Sequence, residues 1–523
     1  MTVTRRDLLK TSLFGGALAA IPSAAQAAGE PSSALAPVVD TAGGKLRGVN
    51  VRGVMTYRGI PYGASTAGAN RFMPPRKPEP WTGVRDAFQN GHSSPQNAPA
   101  PASIGTGLRG YAAAGEDCLV LNVFTPGVTG KRPVMMWIHG GGYAYGSGGS
   151  LGYDGANLAR HGDVVTVCIN HRLNIVSHLY LGTAGEAFAD SGNVGLLDIV
   201  AALQWVKDNI AQFGGDANNV TIFGQSGGGG KVSTLLAMPA AKGLFHKAII
   251  ESGSTLKQMT RDDADQQTTK LMSSLGLKAT DAAALQAMPI QKLLAAMGNM
   301  RLGPVVDGHS LPRDPFDPTA PDVSADVPLI IGTTETEGSY FAPPDLLSLD
   351  EAAVRARLKD RLPGESDRIY DLFKKNRPKA TPSELYFTIS AFPTSAHLQA
   401  ERKAAQRRAP AFLYQIRWRT PVEGGRRLSP HCIEIPFAMQ NHWQLPEMVG
   451  TGAELQPLAD KVSGAWIAFA KSGDPTHALI PKWPAYTADQ RPVMHMNNEW
   501  RVANDPDREE RLAMASFTRL PMF

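Results

Sequence analysis

A serine between glycines follows directly on an apolar run, and this junction constrains the fold of the chain most. Residues 220–223 read Val-Thr-Ile-Phe, and residues 224–228 read Gly-Gln-Ser-Gly-Gly. The run predicts a buried strand, and the segment after it predicts a tight turn into a helix. Glycines suit such a turn because a Cβ there would collide with the neighbouring strand or helix. A strained turn of this kind lifts the hydroxyl of Ser226 out of a sheet, as a nucleophile elbow does.

Strand-like and helix-like segments alternate along most of the chain. Apolar runs predict strands at residues 134–138, 164–169, 220–223, 248–250, 329–331 and 411–418, and helical periodicity predicts helices at 196–210 and 231–238. Residues 38–62 have the pattern of an antiparallel meander, and 74–115 that of a long loop. The alternation predicts an α/β fold with a large, mostly parallel sheet and helices on both faces. Helix-rich insertions at 256–300 and 347–408 are candidate caps over a catalytic gorge.

The first 27 residues have the pattern of an export signal. Residues 4–10 form a twin-arginine motif around Arg5 and Arg6, a weakly apolar run follows at 11–21, and Ala25-Gln26-Ala27 offers a cleavage site. We therefore expect a twin-arginine signal peptide at 1–27 and a single elaborated domain at 28–523, in the periplasm or secreted. The apolar run is too short to span a membrane, so the mature form should have no membrane anchor.

Charge and cysteine content exclude several function classes. The net charge of +5 is spread over 523 residues without a long Lys/Arg block, so nothing indicates nucleic-acid binding. The three cysteines are an odd number, which leaves at least one free thiol or an intermolecular bond. No spacing of Cys and His indicates a metal site, and no cofactor motif is present. The sequence does not indicate an oligomeric state.

Ser226 needs partners to act as a nucleophile, and the chain offers them in a recognisable order. A neutral hydroxyl requires a base within hydrogen-bond reach and a carboxylate that orients the base. Serine, acid, histidine is the chain order of α/β-hydrolases, here Ser226, Glu337 and His431. Residues 139–142 read His-Gly-Gly-Gly after a predicted strand, which allows backbone N–H groups to face an oxyanion.

Further motifs make the chain resemble the type-B carboxylesterases, the carboxylesterase/cholinesterase family. The matching segments are residues 58–62 (RGIPY), 116–123 (EDCLVLNV), 137–142 (WIHGGG), 170–173 (NHRL), 192–198 (GNVGLLD), 213–216 (FGGD), 303–308 (GPVVDG) and 469–475 (FAKSGDP). Each motif alone is weak, but the shared order of all of them is specific. The resemblance covers nearly the whole mature chain.

The resemblance also selects among rival residues. The family's acid is followed by glycine and a small hydroxyl residue, which favours Glu337 over Glu335. The family's histidine motif is matched by residues 431–437 (HCIEIPF), which favours His431 as the base and leaves His139 a structural role. The resemblance implies an oxyanion hole of the N–H groups of Gly141, Gly142 and Gly227.

The chain departs from the family pattern in three ways, and two of them bear on the substrate. Ser94 stands where the family often has a cysteine that pairs with Cys118, and Gln225 stands where it often has glutamate. The loop at 95–117 contains no Trp, the residue with which cholinesterases bind choline by a cation–π contact. Both the missing charge and the missing ring disfavour a quaternary ammonium substrate. Arg301 precedes the 303–308 motif, where it would either meet an anionic substrate group or lie in solvent.

We therefore expect a serine hydrolase that cleaves small carboxylic esters through an acyl-enzyme and needs no cofactor. An amide, carbamate or lactone substrate remains an alternative, since the same residues would serve all of them. A non-catalytic binding module on this fold is the alternative from another class. Such modules typically lack the serine or the histidine, and both are present here.

Overall fold

The computed structural model describes residues 34–97, 104–109 and 112–517. The described residues form the strands β1 (Ala34–Thr41), β2 (Gly44–Val51), β3 (Val54–Pro61), β4 (Val84–Asp86), β5 (Val120–Thr125), β6 (Arg132–Ile138), β7 (Val165–Ile169), β8 (Gly215–Gln225), β9 (Lys247–Glu251), β10 (Met259–Thr260), β11 (Val305–Val306), β12 (Leu329–Thr334), β13 (Ala411–Ile416), β14 (Pro492–Met496) and β15 (Arg501–Asn504). The predicted export signal at 1–27 lies outside the described residues.

The described α-helices are α1 (Ala156–Gly162), α2 (Ile175–His178), α3 (Val194–Asn209), α4 (Gly227–Leu235), α5 (Arg261–Ser274), α6 (Ala282–Ala287), α7 (Ile290–Met297), α8 (Glu351–Arg361), α9 (Ser366–Asn376), α10 (Pro382–Ser390), α11 (Thr394–Ala405), α12 (Ile435–Ala438), α13 (Pro446–Val449), α14 (Leu455–Ser472) and α15 (Arg508–Met514). None of these helices combines the length and the hydrophobicity that a membrane-spanning segment needs.

One large sheet organises the described residues. Its strand order is β1-β2-β3-β5-β7-β6-β8-β9-β12-β13-β14-β15, with β4 beside β2. The central strands from β7 to β14 run parallel, and antiparallel pairs lie toward both edges. Parallel strands align their carboxyl ends along one edge, where α/β proteins place their ligand sites. The predicted mostly parallel α/β sheet is confirmed.

Strand β6 shows why the sheet needs helices on both faces. Met136 and Ile138 belong to one apolar core together with residues of α3, whereas Met135 and Trp137 belong to a second core together with residues of α14. Alternate side chains of a strand point to opposite faces, so a continuous apolar run requires cover on both sides. All residues from 134 to 138 are fully buried.

The two helix-rich insertions form cores of their own. Helices α5 to α7 pack with Phe72 and α2, and helices α8 to α10 pack with Met514 of α15. The polypeptide therefore adds two satellite helical clusters to the central sheet. Residues 74–115, predicted as loop, contain as regular elements only the short strand β4 and one 3₁₀ turn, Thr106–Leu108, among their described residues.

Candidate active site

Ser226 occupies the turn between β8 and α4. Its φ of 59° and ψ of −125° are a strained conformation for a residue with a Cβ. The Ser226 N–H donates to the carbonyl of Glu251 at 2.8 Å, and its own carbonyl accepts from the Gly230 N–H at 2.9 Å. The neighbouring strand β9 and the first turn of α4 thus hold the strained backbone, which has the geometry of a nucleophile elbow.

The glycine loop after β6 lies against this turn. Gly141 and Gly142 have φ values of 92° and 61°, which favour glycine. A Cβ added to Gly227 would lie 2.0 Å from the Gly142 carbonyl oxygen, so the loop and the start of α4 are in close contact. The three glycines predicted to supply oxyanion donors are therefore neighbours.

Glu337 and His431 meet at the carboxyl edge of the sheet. The Nδ1 of His431 is hydrogen-bonded to Oε2 of Glu337. The other carboxylate oxygen, Oε1, accepts from the Thr334 N–H at 2.7 Å and from the Ser252 hydroxyl at 2.7 Å. Glu337 is 3% exposed, and these donors, with His431, hold the pKa of its carboxyl below the usual value against the opposing effect of burial.

Glu335, the rival acid, faces elsewhere. Its carboxylate pairs with Arg419 at 3.3 Å and with Arg417 at 3.9 Å. It lines a surface cavity of about 660 Å³ that contains neither Ser226 nor His431. This cavity is larger than the one that Ser226 and His431 line, but its border consists mainly of ion-paired side chains. No chemistry is assigned to it. Glu337 is thus the carboxylate beside the imidazole.

The Gln225 amide lies on the face of the His431 ring. Its Nε2 is 3.3 Å from Nδ1 and 3.2 Å from Nε2 of the imidazole. An atom nearly equidistant from both ring nitrogens at this range lies above the ring, since a position in the ring plane would overlap Cε1. The contact is therefore packing, and the in-plane site on Nε2 is not taken by the amide. The Cys432 thiol donates to Gln225 Oε1 at 3.1 Å and fixes the amide.

Ser226 and His431 line the same cavity of about 330 Å³. Its described lining consists of Leu108, Arg109, Gly140, Gly141, Gly142, Ala144, Tyr145, Gly146, Tyr153, Gln225, Ser226, Tyr340, Phe341, His431 and Cys432. Apart from Gln225, the last residue of β8, these residues lie in loops and 3₁₀ turns, and α5 to α11 contribute none of them. Arg301 is exposed and lines a different surface cavity.

The charge of the described lining is positive. Arg109 is its only permanently charged residue, and none of the described lining residues is a carboxylate. The Arg109 side chain hydrogen-bonds the hydroxyl of Tyr340, whose ring centroid lies 6.2 Å from that of His431. A cavity with this lining attracts anions and repels cations.

Burial shifts the pKa values of other titratable groups near the site toward their neutral forms. His139 stacks on His171 with 4.5 Å between ring centroids, and burial lowers the pKa of His139 to about 3. Burial also raises the pKa of Glu251 to about 7 and that of Glu434 to about 8. All three cysteines are buried free thiols, including Cys118. No cluster of three or more His, Cys, Asp or Glu in the described ranges is arranged for a metal ion.

Sequence reasoning missed three residues at or beside the site: Ser252, Arg109 and Lys231. Ser252 follows β9, the strand next to β8, and its position at the carboxyl edge was the available signal. Arg109 lies in a loop without a pattern. Lys231 interrupts the apolar face of α4 five residues after the serine, a charge at a position that periodicity assigns to the interior.

A mostly parallel sheet whose central strand is followed directly by a positive-φ serine, with a histidine and a buried glutamate at the same edge, defines an α/β-hydrolase. Comparison with known proteins narrows the class. The sequence profile of the Carboxylesterase family matches residues 35–514. The chain therefore belongs to the carboxylesterase family and is a carboxylic ester hydrolase, as its sequence motifs predicted.

Individual relatives are similar over nearly their whole length. The para-nitrobenzyl esterase of Bacillus subtilis (strain 168) is 35% identical over 492 residues, covering 91% of this chain and 97% of that one. The phenmedipham hydrolase of Pseudarthrobacter oxydans is 33% identical over 502 residues, covering 91% and 99%. Among solved structures, a carboxylesterase of Geobacillus stearothermophilus has a TM-score of 0.80 at 36% identity, covering 91% of this chain and 99% of that one.

Proposed function

We propose that Ser226, His431 and Glu337 are the catalytic triad of this esterase. The observation that carries the proposal is the position of the His431 imidazole. One ring nitrogen is bonded to Glu337, and the ring borders the cavity that also contains Ser226. A carboxylate on Nδ1 keeps the proton there, so Nε2 is the nitrogen that accepts a proton from the serine.

The reaction then proceeds in two halves. The Ser226 oxygen attacks the ester carbonyl while His431 takes the hydroxyl proton, and His431 returns the proton to the departing alcohol. A water molecule, deprotonated by the same imidazole, cleaves the acyl-serine and restores the enzyme. Glu337 orients the ring and stabilises the imidazolium in both halves.

The N–H groups of Gly141, Gly142 and Gly227 donate hydrogen bonds to the carbonyl oxygen, which becomes negatively charged during the attack. The contact between the glycine loop and the start of α4 supports this assignment, as does the position of Gly227 at the first turn of a nine-residue helix. The Gly141 carbonyl accepts from the N–H groups of Ala144 and Tyr145 at 3.3 and 3.2 Å. The C=O and N–H groups of a trans peptide point in opposite directions, so the Gly142 N–H points away from the Ala144 and Tyr145 N–H groups.

A serine variant tests the triad. Ser226→Ala should reduce the hydrolysis of 4-nitrophenyl acetate to the background rate and abolish the mass increase that a fluorophosphonate probe gives with the wild type. Ser472→Ala, at the end of α14 and far along the chain from the cavity residues, should keep both signals. Wild-type turnover by Ser226→Ala would refute the assignment.

The substrate is an ester without a positive charge. The described lining supplies Arg109 and no carboxylate, and Gln225 removes the acidic side chain that the family often has beside the serine. Acetylcholine and 3,3-dimethylbutyl acetate have nearly the same shape and differ in charge. The neutral ester should have the higher kcat/KM, and a preference for acetylcholine would contradict this substrate class.

The protein is exported by the twin-arginine route and works in the periplasm or outside the cell. The support is the sequence at residues 4–27, with Arg5, Arg6 and the small residues Ala25 and Ala27. Fractionation of cells should yield a mature protein that starts near Ala28, and an Arg5→Lys, Arg6→Lys double variant should remain inside. Wild-type protein with an intact N-terminus in the cytoplasmic fraction would refute export.

A further inference from the structure

Lys231 is a buried lysine beside the glycine loop, and the proposed mechanism gives it no task. It lies on α4 and is 1% exposed. Its Nζ donates to the Gly142 carbonyl at 2.8 Å and is 3.4 Å from the carbonyl of His139. These two carbonyls bracket the segment that contains two of the three proposed oxyanion donors, the N–H groups of Gly141 and Gly142.

Burial makes the site of Lys231 costly for an ammonium group despite these two carbonyls. Burial lowers the pKa of Lys231 to about 7. The Nζ also lies 5.2 Å from the centre of the Tyr143 ring, and the neighbouring His139 and His171 have pKa values lowered by burial. The two carbonyls and the face of the Tyr143 ring offset only part of the cost of burying an ammonium group, and an apolar side chain at this position would not carry that cost. A group kept at such a cost next to an active site is a candidate for a functional role.

We propose that Lys231 is a positioning residue that holds the oxyanion loop in its active geometry. It ties the two ends of the segment through the carbonyls of His139 and Gly142, and the glycines between them have no side chains that could fix their backbone. Loss of the lysine removes the side-chain hydrogen bonds at both ends of this segment, so that its backbone is held only by local bonds, from His139 Nδ1 to the Gly140 carbonyl and from the Ala144 and Tyr145 N–H groups to the Gly141 carbonyl. The inference rests on the proposed function, because it assigns the same loop as the oxyanion hole.

A positioning role predicts a loss in the chemical step. The oxyanion forms only in the transition state, so a displaced loop lowers kcat and leaves KM nearly unchanged. A direct oxyanion donor is typically worth about 100- to 1,000-fold in kcat. Because Lys231 acts through the loop, we expect about a 10- to 100-fold loss of kcat.

The chain offers a matched control in Lys403. This second buried lysine also donates to carbonyls, those of Ser324 at 2.9 Å and Ala325 at 2.8 Å, and burial lowers its pKa to about 8. It lies on α11, which contributes nothing to the described cavity lining. Lys403→Met therefore reports the cost of losing a buried, carbonyl-bound lysine away from the site.

The experiment compares Lys231→Met, Lys231→Gln, Lys231→Arg and Lys403→Met with the wild type and Ser226→Ala. For each protein we would measure the Tm, the kcat and KM for 4-nitrophenyl acetate, and the Ki of 1,1,1-trifluoro-4-phenylbutan-2-one, a ketone that forms a tetrahedral adduct with an active serine. Lys231→Met should lower kcat and ketone affinity by similar factors, with KM changed less than threefold. Lys231→Arg, which keeps N–H donors, should recover part of the loss.

Each other result overturns a defined part of the reasoning. Wild-type kcat and ketone affinity in Lys231→Met, an increase in KM alone, or an equal kcat loss in Lys403→Met would overturn the positioning role. The Gln variant, whose side chain is one atom too short, carries the same expectation and decides the outcome if the Met variant does not fold. Hydrolysis and ketone binding by Ser226→Ala at wild-type levels would instead overturn the proposed function.

Discussion

Replacing Glu337 by Gln should disable His431, the proposed catalytic base, by moving its proton from Nδ1 to Nε2. Two donors, the Thr334 N–H and the Ser252 hydroxyl, both bind Oε1 of the carboxylate at 2.7 Å. In the variant they select the amide oxygen for that position, because an amide nitrogen there would face two donors. The amide nitrogen then takes the place of Oε2, directly opposite Nδ1 of His431.

The size of the effect follows from this geometry. An amide N–H opposite Nδ1 favours the tautomer in which Nδ1 is unprotonated and Nε2 carries the proton. A protonated Nε2 cannot accept the proton of the serine. In serine hydrolases the corresponding carboxylate-to-amide change lowers kcat by about 10⁴. That factor corresponds to about 5 kcal/mol of transition-state stabilisation. The shape of the side chain is unchanged, so the Tm should differ little from that of the wild type.

The assay is kcat/KM for 4-nitrophenyl acetate, with Glu335→Gln as the matched control two residues away. Glu335 pairs with Arg417 and Arg419 at the surface, so its loss should change kcat/KM by less than tenfold. If Glu337→Gln kept activity within tenfold of the wild type, or if Glu335→Gln proved the more damaging variant, the hydrogen-bond argument would be wrong.

Two further predictions concern charge. Arg109→Gln should lower the ratio of kcat/KM for anionic 4-(acetoxymethyl)benzoate to kcat/KM for neutral 4-methylbenzyl acetate by about tenfold. Arg301→Gln, outside the cavity, should leave this ratio unchanged. An unchanged ratio in Arg109→Gln would contradict the role of the cavity charge. Burial, with the charges of Glu251 and Glu337, raises the pKa of Glu434 to about 8. The folded protein therefore keeps a proton that the unfolded chain releases, and the stability of the fold decreases as the pH rises toward 8. Thermal unfolding of Glu434→Gln between pH 5 and 9 should therefore show a shallower decrease in Tm than the wild type, and parallel curves would refute this.

The strands of the sheet were predictable because their residues are buried on both faces. The predicted runs at 134–138, 248–250 and 329–331 all fall within β6, β9 and β12. The helix after the serine was placed too late, at 231–238, whereas α4 spans Gly227–Leu235. Four glycines in succession oppose a helix by intrinsic propensity. Tertiary packing overrides the propensity, since a Cβ at Gly228 would lie 2.1 Å from the Ile138 carbonyl oxygen.

The candidate triad was predictable for a different reason, namely that its motifs occur in a fixed order along the chain. The order, together with the resemblance to the carboxylesterase family, selected Ser226, Glu337 and His431 without any distance between them. Ser252 and Arg109 carry no such signal. A serine after a strand and an arginine in a loop are common, and only the folded chain shows that the first binds Glu337 and the second borders the cavity.

The glycine-rich start of α4 and the buried Lys231 have one structural cause. Gly227 and Gly228 allow the helix to approach the loop after β6 until backbone meets backbone. That approach brings the side chain of Lys231 within reach of the Gly142 carbonyl. A larger residue at position 227 or 228 would move the lysine away from this carbonyl. The same helix start also holds Ser226 in its strained conformation through the Gly230 N–H. The close approach of α4 to the loop thus contributes to the positions of the proposed nucleophile, the proposed oxyanion loop and Lys231, so a substitution that widened it would disturb all three together.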